Sequence, residues 1–240
     1  PFAKWFPDGK LNVAYNCVDR HIDARGGAAV PGDVHEGLHR RTHASTARPT
    51  RIRNWIVSCR CGLPGTRRLA ACNGDRVAIH WVGEPVDEAR SITYAELKDE
   101  VSRAANALAA LGVGAGDRVA IYMPMVPEAI VAMLACARLG VMHSVVFAGF
   151  SATALAARVE DAQAKLVITT DGQYRRGQAA SLKSAVDEAV TGQPSVEHVL
   201  VVKRTGIDVD WTDGRDVWWH EIVDSQSTEH TPEAFDAEQP

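Results

Sequence analysis

Short apolar runs alternate with longer amphipathic stretches from Asn73 to about residue 203. The run 76–82 predicts a strand, and the stretch 91–112 predicts a helix because its apolar residues recur at spacings of three and four. The same patterns predict further strands at 118–123, 141–147, 165–170 and 198–203, and helices at 127–140, from Ser151 onward and around 182–190. Strands and helices that alternate over short connections indicate an α/β fold, with a doubly wound, mostly parallel sheet and flanking helices.

End signals support two of these helices. Thr93 and Glu96 have the spacing of a capping box at the start of the first helix, and Gly112 is suited to its end. Pro127 lies in the first turn of the next helix and Gly140 lies at its end, which is the usual asymmetry of these two residues.

Two adjacent arginines follow the predicted strand 165–170. The run 165–170 (KLVITT) has no polar alternation, which is typical of a buried parallel strand. Gly172 breaks it, and Arg175 and Arg176 come next. Ligands of open α/β sheets bind just beyond the carboxyl ends of the strands, and arginine forks match phosphate oxygens. The pair is therefore a candidate phosphate site, with an ordinary loop-edge role as the alternative.

A second candidate lies at the end of the strand 141–147. Phe147 ends the strand, Ala148 and Gly149 form a small-residue turn, and Ser151 opens a helix whose free N–H groups favour an anion. Small residues also serve tight packing, so the turn alone does not decide between the two roles. Both candidate segments follow strands of the same predicted sheet, which favours a shared rim.

Residues 25–72 depart from the regular pattern. They contain nine of the 20 arginines, no lysine and only two acidic residues, and three prolines interrupt them. Nearly 50 residues without a strong element are unusual inside a compact domain. The sequence therefore predicts three parts: an N-terminal segment (1–24), an aberrant, disordered Arg-rich insert (25–72) and the α/β region (73–240).

The Arg-rich insert also contains histidines and cysteines that raise the question of a metal site. These are His35, His39, His43, Cys59, Cys61 and Cys72. A Cys-x-Cys pair without a second pair does not match structural zinc sites, so no metal ligand is predicted. The basic charge could instead suggest a nucleic-acid arm, but Trp55 is its only aromatic residue, and a solvated insert is favoured.

The composition narrows the function classes. The chain has 240 residues, 46% hydrophobic and 23% charged, with a net charge of −4, which gives no reason to expect nucleic acid or an acidic membrane surface as a partner. No apolar stretch approaches the ~20 residues of a membrane span, and no secretory pattern is present. The five cysteines do not resemble a disulfide framework. We expect a cytoplasmic protein with small-molecule partners.

Several stretches together resemble a known enzyme family. They include KWFPDGKLNVAYNCVDRH, GDRVAIHWVGEP, SITYAELKDEV, GDRVAIYMPMVPEAIVAMLACARLGVMHSVVFAGF, KLVITTDGQYRRG and DGRDVWWHEIVD. They resemble the AMP-forming acetyl-CoA synthetases (acetate–CoA ligases) of the acyl-adenylate-forming superfamily, over residues 1–24 and 73–240. The resemblance implies that the sheet is part of the large N-terminal domain of such an enzyme.

The resemblance also implies a reaction and a binding site. Acetate and MgATP give acetyl-adenylate and pyrophosphate, and CoA then gives acetyl-CoA and AMP. By this resemblance, Arg175, Arg176, Gly177 and Gln178 line the entry of CoA, and the arginines meet its 3′-phosphate. Phe147, Ala148 and Gly149 match a turn near the CoA nucleotide. The family commonly has a basic residue at the place of Gln178 and Gly at that of Ala148.

The chain ends at AFDAEQP, where the family's Gly/Ser/Thr-rich phosphate loop would follow. We therefore expect an N-terminal fragment that holds part of the CoA site and lacks the adenylation motifs, the catalytic residues and the Mg ligands. Isolated, it is expected to be inactive. A propionyl-CoA synthetase fragment is the close alternative, because the pocket that separates the substrates is not in this chain. A non-catalytic remnant that binds CoA or a nucleotide is the other.

Overall fold

A computed structural model describes residues 9–19, 22, 74–85 and 87–236. The strands are β1 (Lys10–Leu11), β2 (Val77–Val82), β3 (Ala89–Thr93), β4 (Arg118–Met123), β5 (Met142–Phe147), β6 (Leu166–Thr170), β7 (Gly172–Arg175), β8 (Gln178–Ser181), β9 (His198–Val202), β10 (Asp216–Trp218) and β11 (Phe235–Asp236). The helices are α1 (Tyr94–Ala110), α2 (Pro127–Leu139), α3 (Ala152–Ala162), α4 (Lys183–Val190) and α5 (Trp219–Val223), and a π-helical turn spans Tyr15–Asp19. The Arg-rich insert, with its histidines and cysteines, lies outside the described residues.

The predicted parallel sheet is confirmed. Five strands pair in the order β10-β9-β6-β4-β5, and all four pairings are parallel. The predicted strands that correspond to β4, β5, β6 and β9, and the helices predicted between them, agree with the observed bounds to within one residue, whereas β10 was not predicted. The structure is therefore α/β, with helices on both faces of the sheet.

Alternate residues of each central strand enter two separate cores. Ile121 of β4 and Ile168 of β6 pack toward α1 and α2, whereas Tyr122 and Val167 pack toward α3 and α4. Because both faces of the sheet are covered by helices, all five residues of β6 are buried.

The capping signals also have the predicted geometry. The Thr93 hydroxyl accepts from the Glu96 N–H at 3.2 Å, and the Thr93 N–H donates to the Glu96 carboxylate at 2.8 Å. Gly112 and Gly140, after α1 and α2, have φ values of 76° and 67°. These left-handed conformations suit glycine at helix ends.

The structure differs from the sequence prediction around β2 and β3. The predicted helix 91–112 begins only at Tyr94, because Ser91–Thr93 belong to β3. β2 pairs antiparallel with β3 in a separate two-stranded hairpin, hereafter the β2–β3 hairpin, and does not join the parallel sheet. The indole N–H of Trp81 in β2 donates to the Met125 carbonyl at 2.7 Å, which fixes this hairpin beside the end of β4.

Residues 9–19 of the N-terminal segment pack against the α/β region. β1 pairs with β11, and Asp19 forms a buried ion pair with Arg138 of α2 at 2.6 Å. Among the described residues, no helix is both long and apolar enough to cross a membrane.

Candidate functional site

The carboxyl ends of β4, β5, β6 and β9 meet at one edge of the sheet. The chain passes from β4 to β5, which is the outermost strand on one side of the sheet. It then crosses back to β6, which pairs with the other side of β4. Ligands of doubly wound sheets bind at such a reversal of strand order. The candidate segments after β5 and after β6 both lie at this edge.

The arginine pair lies at the tip of a hairpin, hereafter the arginine hairpin, formed by β7 and β8. Arg175 pairs with Gln178, so Arg176 and Gly177 form a two-residue turn, with φ values of 54° and 75°. Two positive φ values define the type I′ turn that matches the twist of a hairpin. The sequence placed the pair at a loop edge and did not reveal this hairpin, since Arg-Gly is not the usual Asn-Gly turn and residues 178–181 (QAAS) show no apolar alternation.

The charges of the pair face solvent. Arg175 and Arg176 are exposed, and among the described residues neither guanidinium has a hydrogen-bond or ion-pair partner. The turn itself is supported by the β2–β3 hairpin. The Gly177 N–H donates at 2.6 Å to the carboxylate of Glu84, which lies in the turn between β2 and β3. The arginine hairpin therefore presents two unneutralised cations on a supported turn.

Asp171 fixes the base of the arginine hairpin. Its buried carboxylate accepts N–H groups from Gly172 (2.7 Å), Arg204 (2.7 Å), Thr205 (3.0 Å) and Gly206 (2.6 Å). Four backbone donors satisfy the buried charge, so its role is structural. Sequence reasoning missed it, although an Asp followed by Gly at a strand end is a typical turn signal.

The two predicted segments are brought into contact by Gln173. Its amide donates to the Ala148 carbonyl at 3.2 Å, and the Tyr122 hydroxyl donates to the Phe150 carbonyl at 2.7 Å. These bonds hold the turn after β5 against the arginine hairpin. The rim therefore combines Phe147, Ala148 and Gly149 with Arg175, Arg176, Gly177 and Gln178.

The turn after β5 offers an exposed aromatic surface at the same edge of the sheet. Phe147 is 68% exposed and its ring meets Phe150 edge to face, with 5.9 Å between centroids. Arg158 of α3 lies over the Phe150 ring at 5.4 Å. Ser151 caps α3, as predicted, by accepting from the Ala154 N–H at 3.2 Å. An exposed aromatic face next to cations suits a phosphorylated heteroaromatic ligand.

Arg204 connects the arginine hairpin with the β2–β3 hairpin. Its guanidinium lies between the rings of Trp81 (5.2 Å) and Tyr174 (4.9 Å) and forms an ion pair with Glu88. Trp81, Tyr174 and Arg204 border a cavity of about 180 Å³, which is also lined by Glu84 and Met125. Sequence reasoning missed Arg204, because its partners come from distant parts of the chain.

A larger cavity lies away from the predicted residues. It has about 390 Å³ and opens among α1, α2 and α5, with Arg90, Glu100 and Lys203 at its wall. Burial raises the pKa of Glu100 despite the nearby Arg90. Among the described residues, no group of three or more His, Cys, Asp or Glu side chains is placed to hold a metal ion.

Comparisons with known proteins agree with this architecture. The sequence model of a family described as AMP-binding enzyme matches residues 66–240. The chain is 65% identical to an acetyl-coenzyme A synthetase of Mycolicibacterium smegmatis, over all of this chain and 20% of that protein. It is 58% identical to the Streptomyces avermitilis acetyl-coenzyme A synthetase, over all of this chain and 29% of the relative. The chain thus spans between a fifth and a third of the curated relatives.

A solved structure supports the fold. The acetoacetyl-CoA synthetase of Streptomyces lividans superposes with a TM-score of 0.62 at 29% identity, over 68% of this chain and 25% of that one. The family match covers well over half of the chain and includes every strand of the parallel sheet. The chain therefore belongs to the family of AMP-binding enzymes.

Proposed function

We propose that this chain is part of an acetate–CoA ligase and that its arginine hairpin binds the 3′-phosphate of CoA. The relatives named acetyl-coenzyme A synthetase, at 65% and 58% identity, support the reaction. The observation that carries the site is the pair of exposed arginines without a described partner at the carboxyl edge of the sheet. Elsewhere in the described chain, arginines such as Arg138 and Arg204 have carboxylate partners.

Each residue of the rim has a separate task in this proposal. Arg175 and Arg176 supply charge-assisted N–H donors to phosphate oxygens, and Phe147 offers its face to the adenine ring. Gln173 holds the turn after β5 against the arginine hairpin, and Gly149 leaves room for the Phe147 ring, because a Cβ there would lie 2.4 Å from it. ATP and Mg would activate acetate as acetyl-adenylate, and the CoA thiol would then displace AMP. In this proposal the residues of the rim only bind and orient CoA.

The experiment uses an acetyl-CoA synthetase chain of the relatives' length that carries these residues. Changing Arg175 and Arg176 together to Ala should raise the KM for CoA about tenfold or more, because two solvent-exposed contacts of about 0.5–1.5 kcal/mol each are lost. Acetate-dependent ATP–pyrophosphate exchange should stay near normal, because that half-reaction does not use CoA. Arg76→Ala removes an exposed arginine at the far end of β2 and serves as the control.

An unchanged KM for CoA, or a parallel loss of exchange activity, would contradict the site assignment. The alternative substrate, propionate, is tested by comparing kcat/KM for the two acids in the same protein. A non-catalytic remnant would bind CoA without forming acetyl-CoA.

We place the protein in the cytoplasm, with small molecules and neither nucleic acid nor membranes as its partners.

A further inference from the structure

The arginine hairpin needs support from outside its own strands. Its strands have four residues each, and in the described chain β8 pairs only with β7. A single two-stranded hairpin is marginal in water. Its turn also places Arg176, a residue with a Cβ, at a φ of 54°, which L side chains rarely adopt. Other elements must therefore hold the tip in place.

The base of the arginine hairpin is held by two sets of contacts besides the Gln173–Ala148 hydrogen bond. Asp171 ties it to residues 204–206, and Arg204 joins Tyr174 to Trp81 of the β2–β3 hairpin. Neither contact reaches the turn itself. These contacts at the base therefore do not determine in which direction the guanidinium groups of Arg175 and Arg176 point.

The tip has one described hydrogen bond with another element. Glu84, in the turn of the β2–β3 hairpin, accepts the Gly177 N–H through Oε1 at 2.6 Å. The β2–β3 hairpin is itself fixed, because Gly83 donates to the Glu88 carbonyl at 2.8 Å and Trp81 donates to Met125 at 2.7 Å. Glu84 therefore connects the tip to an element that is anchored on the sheet.

Glu84 supports the tip without neutralising it. Its described partner is a backbone N–H, and it forms no ion pair of 4 Å or less with Arg175 or Arg176. Both cations therefore stay available to a ligand. The carboxylate nevertheless lowers the local positive potential. Its hydrogen bond and its charge consequently have opposite effects on phosphate binding.

We propose that Glu84 is a positioning residue of the CoA site: it holds the Arg176–Gly177 turn in its left-handed conformation and so orients both arginines toward the 3′-phosphate. This inference rests on the proposed function, because it assigns a role within the same site. Glu84 does not touch the ligand and acts through the Gly177 amide.

Two substitutions separate the hydrogen bond from the charge. Glu84→Ala removes both, and the affinity of the 240-residue chain for CoA, measured by titration calorimetry, should fall about threefold to tenfold. Glu84→Gln keeps an acceptor oxygen and removes the charge, so its affinity should equal or exceed that of the wild type. Asp87→Ala is the matched control, because it removes an exposed acid from the same turn and should leave the affinity unchanged.

Amide hydrogen exchange reads the same contact without ligand. The Gly177 amide should exchange about threefold to tenfold faster in Glu84→Ala than in the wild type or Glu84→Gln, since its acceptor is lost. Asp87→Ala should exchange like the wild type.

The outcomes keep the two proposals apart. If Glu84→Ala retains the CoA affinity while the double arginine variant loses it, the positioning role is wrong and the CoA site stands. If Glu84→Gln behaves like Glu84→Ala, the hydrogen bond is not the cause, and the role is again wrong. If the double arginine variant binds CoA normally, the proposed site falls, and unaltered Gly177 exchange in Glu84→Ala would then refute Glu84 as the support of the turn.

Discussion

Arg138 and the arginine pair of the hairpin show the same side chain in opposite surroundings. Arg138 is 1% exposed and donates to both carboxylate oxygens of Asp19, at 2.6 and 2.9 Å, and to the His230 carbonyl at 2.6 Å. Arg175 and Arg176 face solvent without a described partner. A buried charge without partners would be costly, whereas an exposed one stays hydrated. Arg138 therefore stabilises the fold, and the pair remains free for a ligand.

The largest effect is expected from Arg138→Ala. It leaves Asp19 buried without its counter-charge, so the free energy of unfolding should fall by about 3–5 kcal/mol. The double variant Arg175→Ala/Arg176→Ala should change it by no more than about 0.5 kcal/mol, because neither side chain makes a described contact. Urea unfolding followed by circular dichroism measures both values.

A second variant controls for the lost volume at Arg138. Arg138→Met combined with Asp19→Leu removes both charges and should be less destabilising than Arg138→Ala alone. Equal stabilities for Arg138→Ala and the double arginine variant would remove the contrast between the two regions.

The next effect concerns the base of the arginine hairpin. A Cβ at Gly172 would lie 2.6 Å from Thr205 Oγ1 and 2.7 Å from the Ala180 carbonyl oxygen. Gly172→Ala should therefore displace the hairpin from residues 203–207 and cost about 1–3 kcal/mol, measured by the same urea titration. Gly114→Ala, where a Cβ meets nothing within 4 Å, should be neutral or slightly stabilising. Similar results for the two glycines would show that the hairpin is not tightly seated.

The parallel sheet was predictable because its signals are local. Each of these signals depends on the spacing of neighbouring residues or on the φ value of a single residue. They are the β-branched run of β6, the Thr93–Glu96 capping box and Gly140. The fold class follows once strands and helices alternate. These features needed no knowledge of distant contacts.

The support of the site was not predictable for the opposite reason. Glu84 meets Gly177 across 93 positions, and Arg204 meets Glu88 across 116, so no spacing rule connects them. β8 carries no apolar alternation, because it is exposed on both sides. The Arg175–Arg176 pair itself was found from its place after a strand, although its hairpin was not.

A smaller effect separates charge from conformation at the tip. Asn tolerates the left-handed conformation better than Arg, so Arg176→Asn should keep the type I′ turn and leave the stability equal or slightly higher. It should still weaken CoA binding by about threefold to tenfold, because one charged donor is lost. Calorimetric titration and thermal unfolding of one preparation test both parts. Unchanged CoA affinity would show that Arg176 does not contact the phosphate.

The smallest effect is a pH dependence on the Arg138 side. Burial, together with the charge of Arg138, lowers the pKa of His230 below its ordinary value of about 6.5. The unfolded chain then binds a proton more readily than the folded one, so stability falls as the pH drops below about 6.5 and levels off below the folded pKa. His230→Asn should flatten this part of the profile, measured by urea unfolding between pH 7 and pH 5. An unchanged slope would show that His230 does not titrate differently in the two states.

The central claim is that Arg175 and Arg176 read the 3′-phosphate of CoA, and dephospho-CoA tests it most directly because it lacks only that group. Calorimetric titration of the 240-residue chain should show CoA binding about tenfold or more tighter than dephospho-CoA. In Arg175→Ala/Arg176→Ala the two ligands should bind almost equally, while Arg76→Ala keeps the wild-type ratio. If the double variant retains the full preference for CoA, the phosphate is held elsewhere and the site assignment is wrong.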